Sequence, residues 1–106
     1  SLVQFIGTDI DNGGVHVNSG VPNHAFYLAV NGGTNRVSGI TVPGVGLANI
    51  DHMEKIFYRA FVFFLTPSAN FNDARAATVQ AAIELYGASS AERQQLELAW
   101  DAVGVR

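Results

Sequence analysis

Apolar side chains recur at helical spacing in four stretches of the chain. The clearest runs through Met53, Ile56, Phe57, Ala60, Phe61, Phe64 and Leu65, stepping by three and one. Asp51 ahead of it predicts a cap, and Thr66-Pro67 predicts the stop. Val62 and Phe63 fall off that stripe, which predicts a helix buried on more than one side. An earlier helix is expected from a Ser19 cap, with Pro22 in the first turn, through His24–Val30 to a stop at Gly32-Gly33. A third is expected from about Asn72 to Tyr86, closed by Gly87, with a small inner face of Ala74, Ala77, Ala81 and Leu85. The fourth opens on Ser89-Ser-Ala-Glu92, read as a capping box, and carries Leu96, Ala99, Trp100 and Val103 inward before Gly104.

Two segments lack a helical period. Ser1–Gly14 ends in turn residues and reads as irregular, with a short strand near Leu2–Ile6. Thr34–Ala48 is rich in glycine and proline and reads as a long loop with an extended piece around Gly39–Val45. A loop of that length inside a small domain points to a functional or docking role. The expected fold class is therefore all-α: a bundle-like domain of four to five helices, residues 1–106, with an irregular start and one long loop.

The 106 residues leave room for one core only. Charged residues make up 14% of the chain, against about 25% in ordinary domains. So apolar a chain either packs tightly or keeps a face for something it docks against. Its net charge is −3 with no basic run, which gives nucleic acid little to bind. The longest apolar run, Ala60–Leu65, is too short to span a bilayer, and Ser1–Gly7 has no leader-like pattern. With no cysteine there is no disulfide, thiolate metal site or cysteine nucleophile.

The candidate chemistry rests on three histidines, His16, His24 and His52. No two of them are four apart, and none lies in an HExxH pattern, so they make a poor metal set. Asp9–Gly14 fails as a calcium loop because its fifth position is Gly13 and its twelfth Gly20. Gly13-Gly14 lacks the spacing of a phosphate cradle, and Ser19 has no nucleophile context. His24 and His52 each sit near a helix start and read as boundary residues. Asp11 and His16 remain, five apart across two glycines that let the backbone fold tightly. A carboxylate on one ring nitrogen fixes the tautomer and leaves the other as a donor suited to a forming oxyanion. Spacing alone leaves open the alternative of a turn histidine satisfied locally.

The stretch DNGGVHVNSG at Asp11–Gly20, followed by VPNHAFYL, resembles the thermolysin family of secreted neutral zinc metalloendopeptidases. The resemblance continues in order through KIFYRAF at Lys55–Phe61, LTPSANF at Leu65–Phe71, AATVQAAIELYG at Ala76–Gly87 and AWDAVGV at Ala99–Val105. It implies the mostly helical C-terminal half of a two-domain protease whose substrate cleft lies between the halves. It also implies that His16 takes the role of the transition-state-stabilising histidine and Asp11 that of the aspartate holding it. The implied partners are the N-terminal catalytic half and a peptide or protein substrate, with neither nucleic acid nor membrane, and the implied location is extracellular.

Several of the family's features are missing. HExxH, its glutamate base, the third zinc ligand and the calcium-binding acids are absent from the sequence, and no arginine precedes Asp11. The loop Thr34–Ala48 also looks longer than in thermolysin itself. The resemblance thus implies zinc, with calcium in the missing half, bound by the parent and not by this chain, which alone is expected to be inactive. It further implies apolar side chains left exposed around Asp11–Phe26. A non-catalytic helical binding or structural module that keeps the family's shape is the competing expectation.

Overall fold

The computed structural model describes residues 20–106. Four α-helices dominate: α1 (Gly20–Asn31), α2 (Ile50–Arg59), α3 (Phe71–Tyr86) and α4 (Ala91–Ala102). The all-α expectation holds, and each of the four expected helices is present. The expected strand near Leu2–Ile6 lies outside the described residues.

The core forms where the apolar stripes meet. Met53, Ile56 and Phe57 of α2 face Ala25, Phe26 and Ala29 of α1, Ala74 and Ala81 of α3, and Leu96 and Trp100 of α4, all buried. Phe57 is central: it meets Phe26 edge-on at 5.2 Å, Phe61 edge-on at 5.8 Å and Trp100 stacked at 6.3 Å between ring centroids. The alanines of α3 let its backbone come close to its neighbours. Trp100 buries its ring completely and donates its Nε1–H to Thr78 Oγ1 at 2.9 Å.

The long loop is more ordered than its composition suggests. It turns back as a minimal antiparallel ladder, β1 (Gly33–Thr34) against β2 (Thr41–Val42), with Thr34 opposite Thr41. Beyond β2 the chain lies along the end of α1, where Val45 N–H donates to Ala29 O and Gly46 N–H to Val30 O, both at 2.8 Å. These bonds satisfy two of the carbonyls that a helix end leaves unpaired. The approach needs glycine: a Cβ on Gly32 would meet Pro43 O at 2.3 Å, and one on Gly44 would meet Gly32 N at 2.6 Å.

Four local readings are corrected. Asp51 lies inside the first turn of α2 instead of capping it; a 3-10 turn, Leu47–Asn49, leads in and Asn49 is the boundary residue. Ser90, not Ser89, caps α4 by accepting from Arg93 N–H, and Glu92 reaches across to His52 instead of back to the cap. A full capping box does occur one helix earlier, between Asn70 and Asp73. In α3, Leu85 is 41% exposed, and Thr78 and Ala82 join the alanines on the inner face.

The fourth correction concerns the end of α2. The helix passes into a π turn, Ala60–Phe64, whose wider winding shifts the register of the last residues. Val62 and Phe63 therefore face outward, Phe63 at 65% exposure, and so does Phe64, so this helix is buried on one side only. The Arg59 guanidinium lies 5.7 Å from the Phe63 ring centre and 5.6 Å from that of Phe64. Its other contact, to Glu84 Oε1 at 2.8 Å, holds it there.

Candidate functional site

Asp11 and His16, the residues to which the sequence assigns chemistry, lie outside the described residues. Gly20, the last residue of the stretch that contains them, opens α1. The described structure is therefore the platform on which that stretch ends. The first turn of α1 carries no acidic side chain, so no carboxylate of its own offsets the positive end of the helix. Pro22 is buried there, and Asn23 keeps its side-chain Oδ1 buried without a hydrogen-bond partner among the described residues.

Beside this turn is a hollow of about 320 Å3. Its walls come from three places: Val21 and His24 of α1, the hairpin residues Asn35, Val37 and Ser38, and the end of α4 at Ala102–Gly104. The hairpin wall is built rigidly. Asn35 Oδ1 accepts from both Val37 N–H and Ser38 N–H at 2.9 Å, and Ser38 Oγ donates to Ala102 O at 2.7 Å. The α4 wall is fixed from behind, where Arg75 Nη1 donates to Asp101 Oδ1 and to Val105 O, each at 2.6 Å. Val37 is 97% exposed at the hairpin tip, an apolar side chain with no cover from the described residues.

The two other histidines go to different places. His24 is exposed at the rim of the hollow. His52 is half-buried on α2, with Nδ1 2.8 Å from Glu92 Oε2 of α4 and its ring stacked on Tyr86 of α3 at 4.7 Å. That cluster joins three helices and was not legible from spacing, since His52 and Glu92 are 40 residues apart. Burial, then the nearby Asp51 and Glu92 carboxylates, push the Tyr86 phenol above its ordinary pKa.

Among the described residues no three His, Cys, Asp or Glu side chains converge in a way that would hold a metal ion. The described side chains therefore do not fit a zinc centre. The expected exposure of apolar residues around Asp11–Phe26 falls mostly outside the described residues. In the described part Val21 is half-buried and Phe26 buried, while the next residue, Tyr27, is 58% exposed; Val37, Tyr58, Val62 and Phe63 are exposed on other segments.

Comparison with known proteins gives a consistent picture. A family model described as thermolysin metallopeptidase, alpha-helical domain, matches residues 2–105. The chain is 51% identical over 102 residues to a bacillolysin of Bacillus caldolyticus, which covers 96% of this chain and 18% of the relative. A thermolysin of Alicyclobacillus acidocaldarius subsp. acidocaldarius matches equally, at 51% identity over the same shares. A bacillolysin of Brevibacillus brevis is 46% identical over 96 residues, covering 91% of this chain and 17% of the relative. The chain thus spans about a fifth of the length of these curated relatives.

Proposed function

The chain belongs to the thermolysin metallopeptidases, as their alpha-helical domain, and we propose that it forms one side of the substrate cleft of a secreted, zinc-dependent endopeptidase. His16 is the residue that stabilises the tetrahedral intermediate of peptide hydrolysis, and Asp11 orients it. The observation that carries this reading is the intact stretch DNGGVHVNSG, set in a chain that matches the helical domain of the family nearly end to end.

The chemistry follows from the side chains. The Asp11 carboxylate, on one nitrogen of His16, fixes the tautomer and favours the charged ring. The other ring nitrogen then presents an N–H to the oxygen that gains negative charge as the carbonyl is attacked. A donor fixed in advance stabilises that charge without reorganising during the reaction. The ligands for zinc, and for any calcium, belong to an N-terminal half outside this chain. The chain by itself is therefore inactive and depends on that half and on a peptide substrate.

The test is His16→Ala in the full-length product. Removal of one oxyanion donor should lower kcat about 10²–10³-fold, with the zinc content unchanged. An unaltered kcat would overturn the role given to His16. A lost rate accompanied by lost zinc would assign the residue to metal binding instead.

A further inference from the structure

The hollow beside the first turn of α1 is concave and lined mostly by apolar surface. We propose that it is a remote specificity subsite, with Val21 and Val37 as apolar walls, that takes an apolar side chain of the substrate several residues from the bond being cut. The proposal rests on the cleft role given above to His16.

Reach is the first argument. Gly20 follows His16 by four residues, and a chain extends at most about 3.3–3.6 Å per residue. The rim of the hollow at Gly20 is therefore within roughly 14 Å of the His16 backbone, whatever path the chain takes. An extended substrate also advances about 3.3 Å per residue, so a residue three to five positions from the scissile bond can reach the hollow.

Lining and rigidity are the second argument. Peptide side chains are selected by concave, mostly apolar sites with a few polar groups at fixed positions. Here Val21 of α1, Val37 of the hairpin and Val103 just past α4 supply the apolar surface, while His24 and Asn35 stand as polar groups in the lining. The hairpin does not need to be ordered on binding. Its tip is already pinned by the Asn35 turn and by the Ser38–Ala102 hydrogen bond. A preorganised wall saves the cost of ordering a loop. The 97% exposure of Val37 gives that wall its most available apolar side chain.

The experiment uses the full-length product and two kinds of substrate: a short blocked peptide confined to the scissile bond, and longer peptides carrying leucine or aspartate three to five residues away on either side. The native protein should prefer leucine at one of those positions, by about tenfold or more in kcat/KM, as a buried apolar side chain warrants. Val37→Asp should abolish that preference, Val37→Leu should keep it, and neither should change turnover of the short peptide. Equal effects of Val37→Asp on short and long peptides would overturn the proposal, because the hairpin would then serve general packing. So would a leucine preference that Val37→Asp leaves intact, or no preference at any position. Failure of the cleft reading looks different: His16→Ala would then leave turnover of the short peptide unchanged.

Discussion

His52 of α2 and Glu92 of α4 are joined through Nδ1 and Oε2 at 2.8 Å, with the histidine ring lying flat on Tyr86 of α3. One side chain thereby ties three of the four described helices together. The glutamate is the more buried partner, at 14% side-chain exposure against 33% for the histidine. Loss of the histidine should thus leave a carboxylate poorly solvated. His52→Ala is expected to lower unfolding stability by about 1 kcal/mol, more than a freely exposed pair would. The double variant with Glu92→Gln should cost less than the two single changes added. Strict additivity in denaturant unfolding would show that the two groups do not interact.

Trp100 and Thr78 make a second pairing, wholly inside the core. The threonine hydroxyl accepts from Trp100 Nε1–H while turning its own proton to Ala74 O at 2.9 Å. Thr78→Val keeps the shape and removes the acceptor, leaving the indole N–H buried and unmatched. The expected cost is about 1–3 kcal/mol in unfolding stability. Trp100→Phe combined with Thr78→Val should recover the part of the loss due to the orphaned donor. A Thr78→Val protein as stable as the native one would mean that the indole finds another acceptor.

The helices were legible in the sequence because each carries a stripe broad enough to need a core. Met53, Ile56, Phe57 and Trp100 announce burial by spacing alone, and they are buried. Errors gathered where a residue answers to a distant partner. Glu92 fits a capping box by local pattern, yet a histidine 40 residues away takes it. Phe63 and Phe64 look like core by composition, but the π turn and the Arg59 guanidinium settle their direction. The loop hid its order for a related reason: its bonds run to the carbonyl end of α1 and to Gln95, which no local periodicity reveals. As for the candidate site, Asp11 and His16 stand out by motif and lie outside the described residues, whereas the hollow at the start of α1 depends on three segments meeting.

The return of that loop predicts a sharp intolerance at Gly44. Its φ is 83°, its N–H donates to Gln95 Oε1 at 2.8 Å, and an added Cβ would stand 2.7 Å from Val30 O. Both backbone conformation and space oppose any side chain there. Gly44→Ala should destabilise the domain by about 2 kcal/mol or more and loosen the hairpin. Gly39→Ala, at φ 73° but with open space around the new Cβ, should cost less. Hydrogen exchange at Val45 and Gly46, whose amides cap α1, would report the difference. Equal protection in both variants would mean that the close approach is not what orders the loop.

The last prediction concerns alkaline pH. Tyr86 is held above its ordinary pKa of 10.0, first by burial and then by the charges of Asp51 and Glu92. A phenol whose proton is bound more tightly in the folded than in the unfolded chain contributes stability that is complete below the unfolded value. That contribution is lost as pH rises through the higher folded value. Unfolding stability should therefore fall from about pH 10 upward, the unfolded pKa of tyrosine, and Tyr86→Phe should flatten that decline relative to the native protein. Glu92→Gln should lower the Tyr86 pKa only in part, because burial, the leading cause, remains. Phenolate absorbance compared between the native protein and Tyr86→Phe isolates this one ring. If the difference titrates at or below pH 10.0, burial beside His52 does not disfavour the phenolate.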